Sequence, residues 1–400
     1  MVGAVSRMKK TAIRLVPLIL LAALLQGCAG PRAVTGLASP TQSDARYLST
    51  IPFLVATTRA ASATPEPPYS RDRSLALNFS QVNVLVPAAH RPGSVETSSD
   101  IPDPARHFSA RNLTPIADSK SFLSLLNARL AERPPSQREI FIFVHGYNNN
   151  FAEGLFRNAQ IVHDYNISSV PLHFSWASAA SFSGYLFDRD SALLARNGLA
   201  ETIEIAARSN ASGIVIVGHS MGSYVVMEAL RTLALRGESR IFPRIRGVMM
   251  AAPDIDPDVF SSQVDDIPVL PQPFTVIVSR RDRALNISRR LTGGGHRIGS
   301  GFNIPLLQKK NVQVIDISDV DGGGHSGFAS SGTLIKLLGS DRLLRRLMTD
   351  EDATANGKVA EAGQAVFENA ALAIHLPVRI LEGLSTGQSR PVLDGGNVSR

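Results

Sequence analysis

Ile214-Val215-Ile216-Val217-Gly218-His219-Ser220-Met221-Gly222 runs four apolar residues straight into a Gly-x-Ser-x-Gly pentapeptide, and Ser223 to Leu235 follows with helical spacing. A strand that turns at once into a helix strains the backbone at the turn. Glycine is needed on both sides because a Cβ at either position would crowd the helix or the strand. A serine held in such a turn projects its hydroxyl from the strand end, where it can act as a nucleophile. Ser220 is therefore the leading candidate for covalent catalysis. The pentapeptide alone also suits an ordinary glycine-rich turn; the flanking strand and helix give it its meaning.

The same pattern continues on both sides. Short apolar strands at 140–144, 170–174, 214–217, 248–251, 274–278 and 312–317 alternate with helical stretches at 122–130, 151–164, 189–208, 223–235 and 283–291. Continuously apolar strands separated by amphipathic helices predict an α/β architecture, a mostly parallel sheet with helices on both faces. Strands at 53–57 and 75–86 precede this series, and 87–115 reads as a surface loop. No internal repeat of fixed period is evident.

In such sheets ligands gather at the carboxyl ends of the strands. A serine hydroxyl needs an imidazole to take its proton, and the imidazole needs a carboxylate to orient it. Around an elbow of this type the chain order is nucleophile, acid, base. Of the histidines after Ser220, His325 follows the last strand, His296 precedes it and reads as a loop residue, and His375 lies in the tail. His325 is the expected base. Asp282, after Val276-Ile277-Val278-Ser279-Arg280-Arg281, is the expected acid and could also cap the helix that follows it; Asp254 and Asp256, one strand earlier, are the alternatives, with turn chemistry as their plainer role. The oxyanion donors expected are the backbone N–H groups of Met221 and of Tyr147, the latter in the loop His145-Gly146-Tyr147-Asn148. Asn148, Asn149 and Asn150 are placed to cap the helix beginning near Phe151. Trp176 and Tyr185 are candidates for the substrate pocket or for plain core, and Asp188 reads as complementing a helix dipole.

With these residues in view, the chain resembles the α/β-hydrolase superfamily and, more narrowly, the bacterial DUF900 group of esterase/lipase-type hydrolases. The matching stretches are Val55 to Arg59, Val144 to Asn148, Phe174 to Ser178, Tyr185 to Ser191, Gly218 to Gly222, Ala252 to Asp254, Ser279 to Leu285 and His325-Ser326. The family commonly has proline where Ala177 stands. The resemblance implies the α/β-hydrolase fold and the triad Ser220, Asp282 and His325. It implies no substrate, because fold and triad fix only a reaction class. The expected function is a carboxylic-ester hydrolase working through an acyl-enzyme on a small-molecule or lipid ester. An acyltransferase on the same fold, or a non-catalytic envelope lipoprotein, is the alternative.

The ends carry different signals. A basic start is followed by the apolar run Leu15 to Leu25 and then Leu25-Gln26-Gly27-Cys28, which resembles the lipobox of bacterial lipoproteins. Residues 1–27 are expected to be a signal peptide. Cys28, the only cysteine, is then the lipidation site that holds the protein at a membrane of the cell envelope, periplasm-facing. Residues 28–50 read as a flexible tether, 51–348 as the catalytic domain and 349–400 as an extension. In that extension Val366, Phe367, Ala370 and Ile374 predict an amphipathic helix interrupted by Pro377, with disorder over 385–400. Without Arg7, Lys9, Lys10 and Arg14 of the leader, 41 Lys and Arg against 34 Asp and Glu become 37 against 34, which gives little support to nucleic-acid binding. No His/Cys/Asp cluster has metal-ligand spacing, and the chemistry calls for no cofactor.

Overall fold

The computed structural model describes residues 32–37, 47–338 and 372–375. In chain order it contains β1 (Tyr47–Ala61), β2 (Tyr69–Pro87), β3 (Ser109–Ile116), α1 (Ser119–Ala131), β4 (Glu139–Val144), α2 (Phe151–Asp164), β5 (Val170–Ser175) and α3 (Tyr185–Ala207). Then come β6 (Gly213–His219), α4 (Met221–Leu235), β7 (Ile245–Ala251), α5 (Pro257–Asp265), β8 (Phe274–Val278), α6 (Arg283–Thr292), α7 (Ile304–Lys309), β9 (Gln313–Asp316), α8 (Gly327–Ser330), α9 (Gly332–Leu338) and β10 (Ala373–His375). The strands form one sheet in the order β10-β9-β8-β7-β6-β4-β5-β1-β2-β3. The run from β9 to β1 is parallel, and only β10, β2 and β3 pair antiparallel.

The continuous apolar runs are explained by burial on both sides. Ile140, Ile142 and Val144 of β4 and Ile214 and Ile216 of β6 join one core, covered by α1, α3, α4 and α5. Phe141, Phe143, Val215 and Val217 join the other, beneath α2, α8 and α9. Alternation on a pleated strand sends successive side chains to opposite faces, so a doubly covered strand must be apolar throughout.

The edges depart from the sequence reading. Segment 87–115, expected as loop, contains most of β3, buried only at Ser109 and Ala110 and half-buried or exposed beyond them at the sheet margin; an edge strand needs no apolar run. The tether reading fails at 32–37, which is docked on the domain by polar contacts. Arg32 pairs with Glu153 at 2.6 Å, the Ala110 N–H donates to Thr35 O at 3.0 Å, and the Glu66 carboxylate accepts the N–H groups of Thr35 and Gly36 at 2.9 and 3.0 Å. Such bonds leave no apolar period in the sequence. Ile374 and His375, expected in a helix, instead form β10, which pairs with β9 and covers its open edge. The other apolar positions of that expected helix, and Cys28 with the leader, lie outside the described residues. Among the described residues no helix is long and apolar enough to cross a membrane.

Strands β4 and β6 are neighbours, yet the chain leaves β4 for β5 on one side and β6 for β7 on the other. This reversal opens a crevice at the strand ends, where open α/β sheets bind their ligands. Register brings Val144 beside Gly218 and Ala251 beside His219, so the loops after β4, β6 and β7 start at one level.

Candidate active site

Ser220 sits between β6 and α4 with φ 53° and ψ −122°, a left-handed backbone that a non-glycine residue adopts only when its surroundings impose it. Its N–H donates to Ala251 O at 2.9 Å, and its own carbonyl accepts the Asp254 N–H at 3.3 Å. A Cβ on Gly222 would lie 2.4 Å from the carbonyl oxygens of both Val144 and His145, and one on Gly218 would lie 2.9 Å from Ser223 Cα. Both glycines are therefore required by close backbone approach, as expected.

His325 and Asp282 come together 43 residues apart in sequence, with Nδ1 2.7 Å from Asp282 Oδ2. The carboxylate is buried and the imidazole partly exposed. Asp282 Oδ1 also accepts the Leu285 N–H at 3.0 Å, so the carboxylate caps α6 while it holds the histidine. An imidazole that gives its Nδ1 proton to a carboxylate keeps Nε2 as the basic nitrogen. His325 lies against the elbow: its ring centroid is 4.8 Å from that of His219, whose Nε2–H donates to His325 O at 3.3 Å. Burial and the neighbouring His325 hold His219 well below the usual histidine range, so it stays neutral. Among the described residues the Ser220 hydroxyl makes no hydrogen bond to His325. In unliganded hydrolytic sites that bond tightens when substrate binds.

Tyr147 follows β4 in a loop whose conformation is fixed from three directions. The Asn148 N–H donates to Asp188 Oδ2 at 3.2 Å and the Asn149 N–H to Ser178 Oγ at 3.2 Å. These bonds fix the loop that carries Tyr147, whose hydroxyl also donates to the Ser181 carbonyl at 3.2 Å. Asp188 also accepts Ser178 Oγ at 2.6 Å and the Ala179 N–H at 2.6 Å; it ties two loops together rather than merely meeting a helix dipole. Arg59, fully buried, donates Nε to Ser175 Oγ at 2.9 Å, Nη1 to Ser178 O at 3.2 Å and Nη2 to Asn149 O at 2.8 Å. Burial lowers its pKa to about 10. The sequence reading gave neither residue this role, although an arginine closing an apolar strand run is a signal of buried polar work.

His145 is part of the same scaffold. Its Nε2 accepts the Trp176 N–H at 3.1 Å, so Nδ1 carries the proton and bonds Gly146 O at 2.9 Å; burial keeps the ring neutral. Trp176 is fully buried, stacks on His145 at 5.1 Å and gives its indole N–H to His145 O at 2.7 Å. It is core, which corrects the pocket reading for this residue. Tyr185 lines a cavity of about 20 Å³ together with Met221, Tyr224, Asp254 and Arg297.

The alternative acids are occupied elsewhere. Asp254 accepts Ser288 Oγ at 2.6 Å and the Tyr185 hydroxyl at 3.0 Å and lies 3.1 Å from Arg297 Nε. Asp256 caps α5. His296 stacks on Phe302 at 4.0 Å, and Asn150 forms a capping box with Glu153 at the start of α2.

The family described as "Alpha/beta hydrolase of unknown function (DUF900)" matches residues 119–342. No curated protein matches the chain. Similar solved structures include a lipase-esterase related protein from Clostridium acetobutylicum, with 12% identity, 54% of this chain and 96% of that one covered, and a TM-score of 0.31. Esterase B from Lactobacillus rhamnosis is 11% identical, with 78% and 89% covered and a TM-score of 0.34. A peroxisomal alpha-beta-hydrolase from Saccharomyces cerevisiae is 9% identical, with 80% and 97% covered and a TM-score of 0.33.

Proposed function

The chain belongs to the DUF900 family of α/β-hydrolases, and from that premise we propose that it is a serine hydrolase of carboxylic esters in which Ser220, His325 and Asp282 form the catalytic triad. The observation that carries the proposal is the 2.7 Å contact of His325 with Asp282 against an elbow whose serine has φ 53°. Ser220 Oγ attacks the ester carbonyl as His325 Nε2 takes its proton. The oxyanion is held by the N–H groups of Met221 and Tyr147, each donor of this kind contributing about 3 kcal/mol. The tetrahedral intermediate expels the alcohol, which leaves with the proton from His325. Water, deprotonated by the same nitrogen, then hydrolyses the acyl-enzyme and restores the serine. Asp282 orients the imidazole and stabilises its charged form throughout. No step calls on a metal or cofactor.

Wild-type protein should hydrolyse nitrophenyl esters across a panel of graded chain length, and Ser220→Ala should lose this activity by several orders of magnitude while keeping its Tm. Equal turnover by the two proteins would remove Ser220 from the mechanism. The lipobox-like Leu25 to Cys28 supports the further reading that the enzyme works from an envelope membrane, held there by an acylated Cys28. Cys28→Ser should move the expressed protein from the membrane to the soluble fraction; an unchanged distribution would end the lipoprotein reading.

A further inference from the structure

On the α2 side of the sheet, away from the crevice, a second cluster of titratable side chains is built with unusual care. His90 comes from the loop after β2, while His163 and Asp164 close α2. One donor atom from each of the three lies within 4.8 Å of the other two. His90 Nε2 is 2.8 Å from Asp164 Oδ1, and both side chains are 1% exposed. Each group is also held from behind. His90 Nδ1 is 2.9 Å from Glu96 Oε2. Asp164 Oδ2 accepts the Gly93 N–H and Gln160 Nε2, both at 2.6 Å. His163 Nδ1 is 3.1 Å from Ser49 Oγ.

We propose that His90, His163 and Asp164 form a binding site for one borderline divalent cation, Zn²⁺ by its donor chemistry. Two imidazoles and a carboxylate suit Zn²⁺ better than Mg²⁺ or Ca²⁺, which prefer oxygen alone. Protein metal sites typically hold each ligand through an outer partner, and a ligating histidine gives its remaining N–H to a carboxylate. Glu96 stands in that relation to His90, and Gln160 with Gly93 in that relation to Asp164. Without a cation, His90 Nε2 and Asp164 Oδ1 meet directly across that gap at 2.8 Å.

The site lies behind the segment that carries the proposed base. Gln160 Nε2 donates to Ala329 O at 2.9 Å and the Tyr165 hydroxyl to Phe328 O at 2.5 Å, respectively four and three residues beyond His325. A bound cation would therefore brace this segment and take no part in chemistry. Sequence spacing hides the cluster because His90 and Asp164 are 74 residues apart.

The rival occupant is no cation at all: His90 and the nearby Arg157 can balance Glu96 and Asp164 as a closed ion-pair network. The test is equilibrium dialysis of chelator-treated full-length protein against Zn²⁺, with Co²⁺ absorption as a second readout. One equivalent of Zn²⁺ should be retained, Co²⁺ should give a visible ligand-field spectrum, and the Tm should rise on loading. His163→Ala, a partly exposed position that should fold, and Asp164→Asn should weaken retention at least tenfold. His296→Ala and Ser220→Ala should bind as wild type does, so the outcome is independent of the hydrolase reading. Substoichiometric retention by wild type, or equal retention by His163→Ala, would overturn the site in favour of the ion-pair network.

Discussion

Asp282 does two things with one carboxylate: Oδ1 fixes the start of α6 and Oδ2 fixes His325. The sequence pointed to both roles because Asp282 follows a strand and precedes a helix, but it left Asp254 and Asp256 open. Only three-dimensional contacts separate them, since Asp254 is committed to Arg297, Tyr185 and Ser288. The two carboxylates should therefore fail differently. Asp282→Asn should lower kcat by about 10⁴ with little loss of Tm, because asparagine also caps helices. Asp254→Ala should leave the buried Arg297 only the longer contact with Asp256, at 3.7 Å, and cost about 3 kcal/mol of stability, seen as a lower denaturation midpoint, with kcat reduced far less. The opposite pairing of effects would make Asp254 the acid.

At the scale of elements, what the sequence revealed was what burial dictates. Strands β4 to β9 and helices α2 to α4 were legible because a doubly covered strand and a one-sided helix each leave an apolar period. Residues 32–37, β3 and β10 were not, because backbone hydrogen bonds and ion pairs at a sheet margin hold them and leave no period behind. The elbow was legible through its glycines. Gly222→Ala would press a methyl group against two backbone carbonyls at 2.4 Å, with no flexible side chain to yield. Overpacking of this kind costs about 2 kcal/mol or more, a Tm loss of roughly 4 °C. A variant with unchanged Tm would show that α4 and the loop after β4 are looser than the geometry indicates.

For the whole molecule, the sheet order matters more than any single loop. Because the order in which strands are added reverses between β4 and β6, the loops carrying Tyr147 and Ser220 start side by side at one crevice, and β8 and the segment after β9 deliver Asp282 and His325 to the same end. Strand order in the sequence anticipated this convergence. It could not anticipate Arg59 bonding Ser175 across 116 residues, because a buried polar contact between distant segments has no local pattern. The central claim is that Ser220 is an activated nucleophile, and covalent labelling of folded protein by a fluorophosphonate, read by intact mass and peptide mapping, tests it most directly. The expected result is a single adduct on Ser220 that disappears in Ser220→Ala and forms far more slowly in His325→Ala. Folded wild-type protein that takes no adduct, or an adduct that persists in Ser220→Ala, would contradict it.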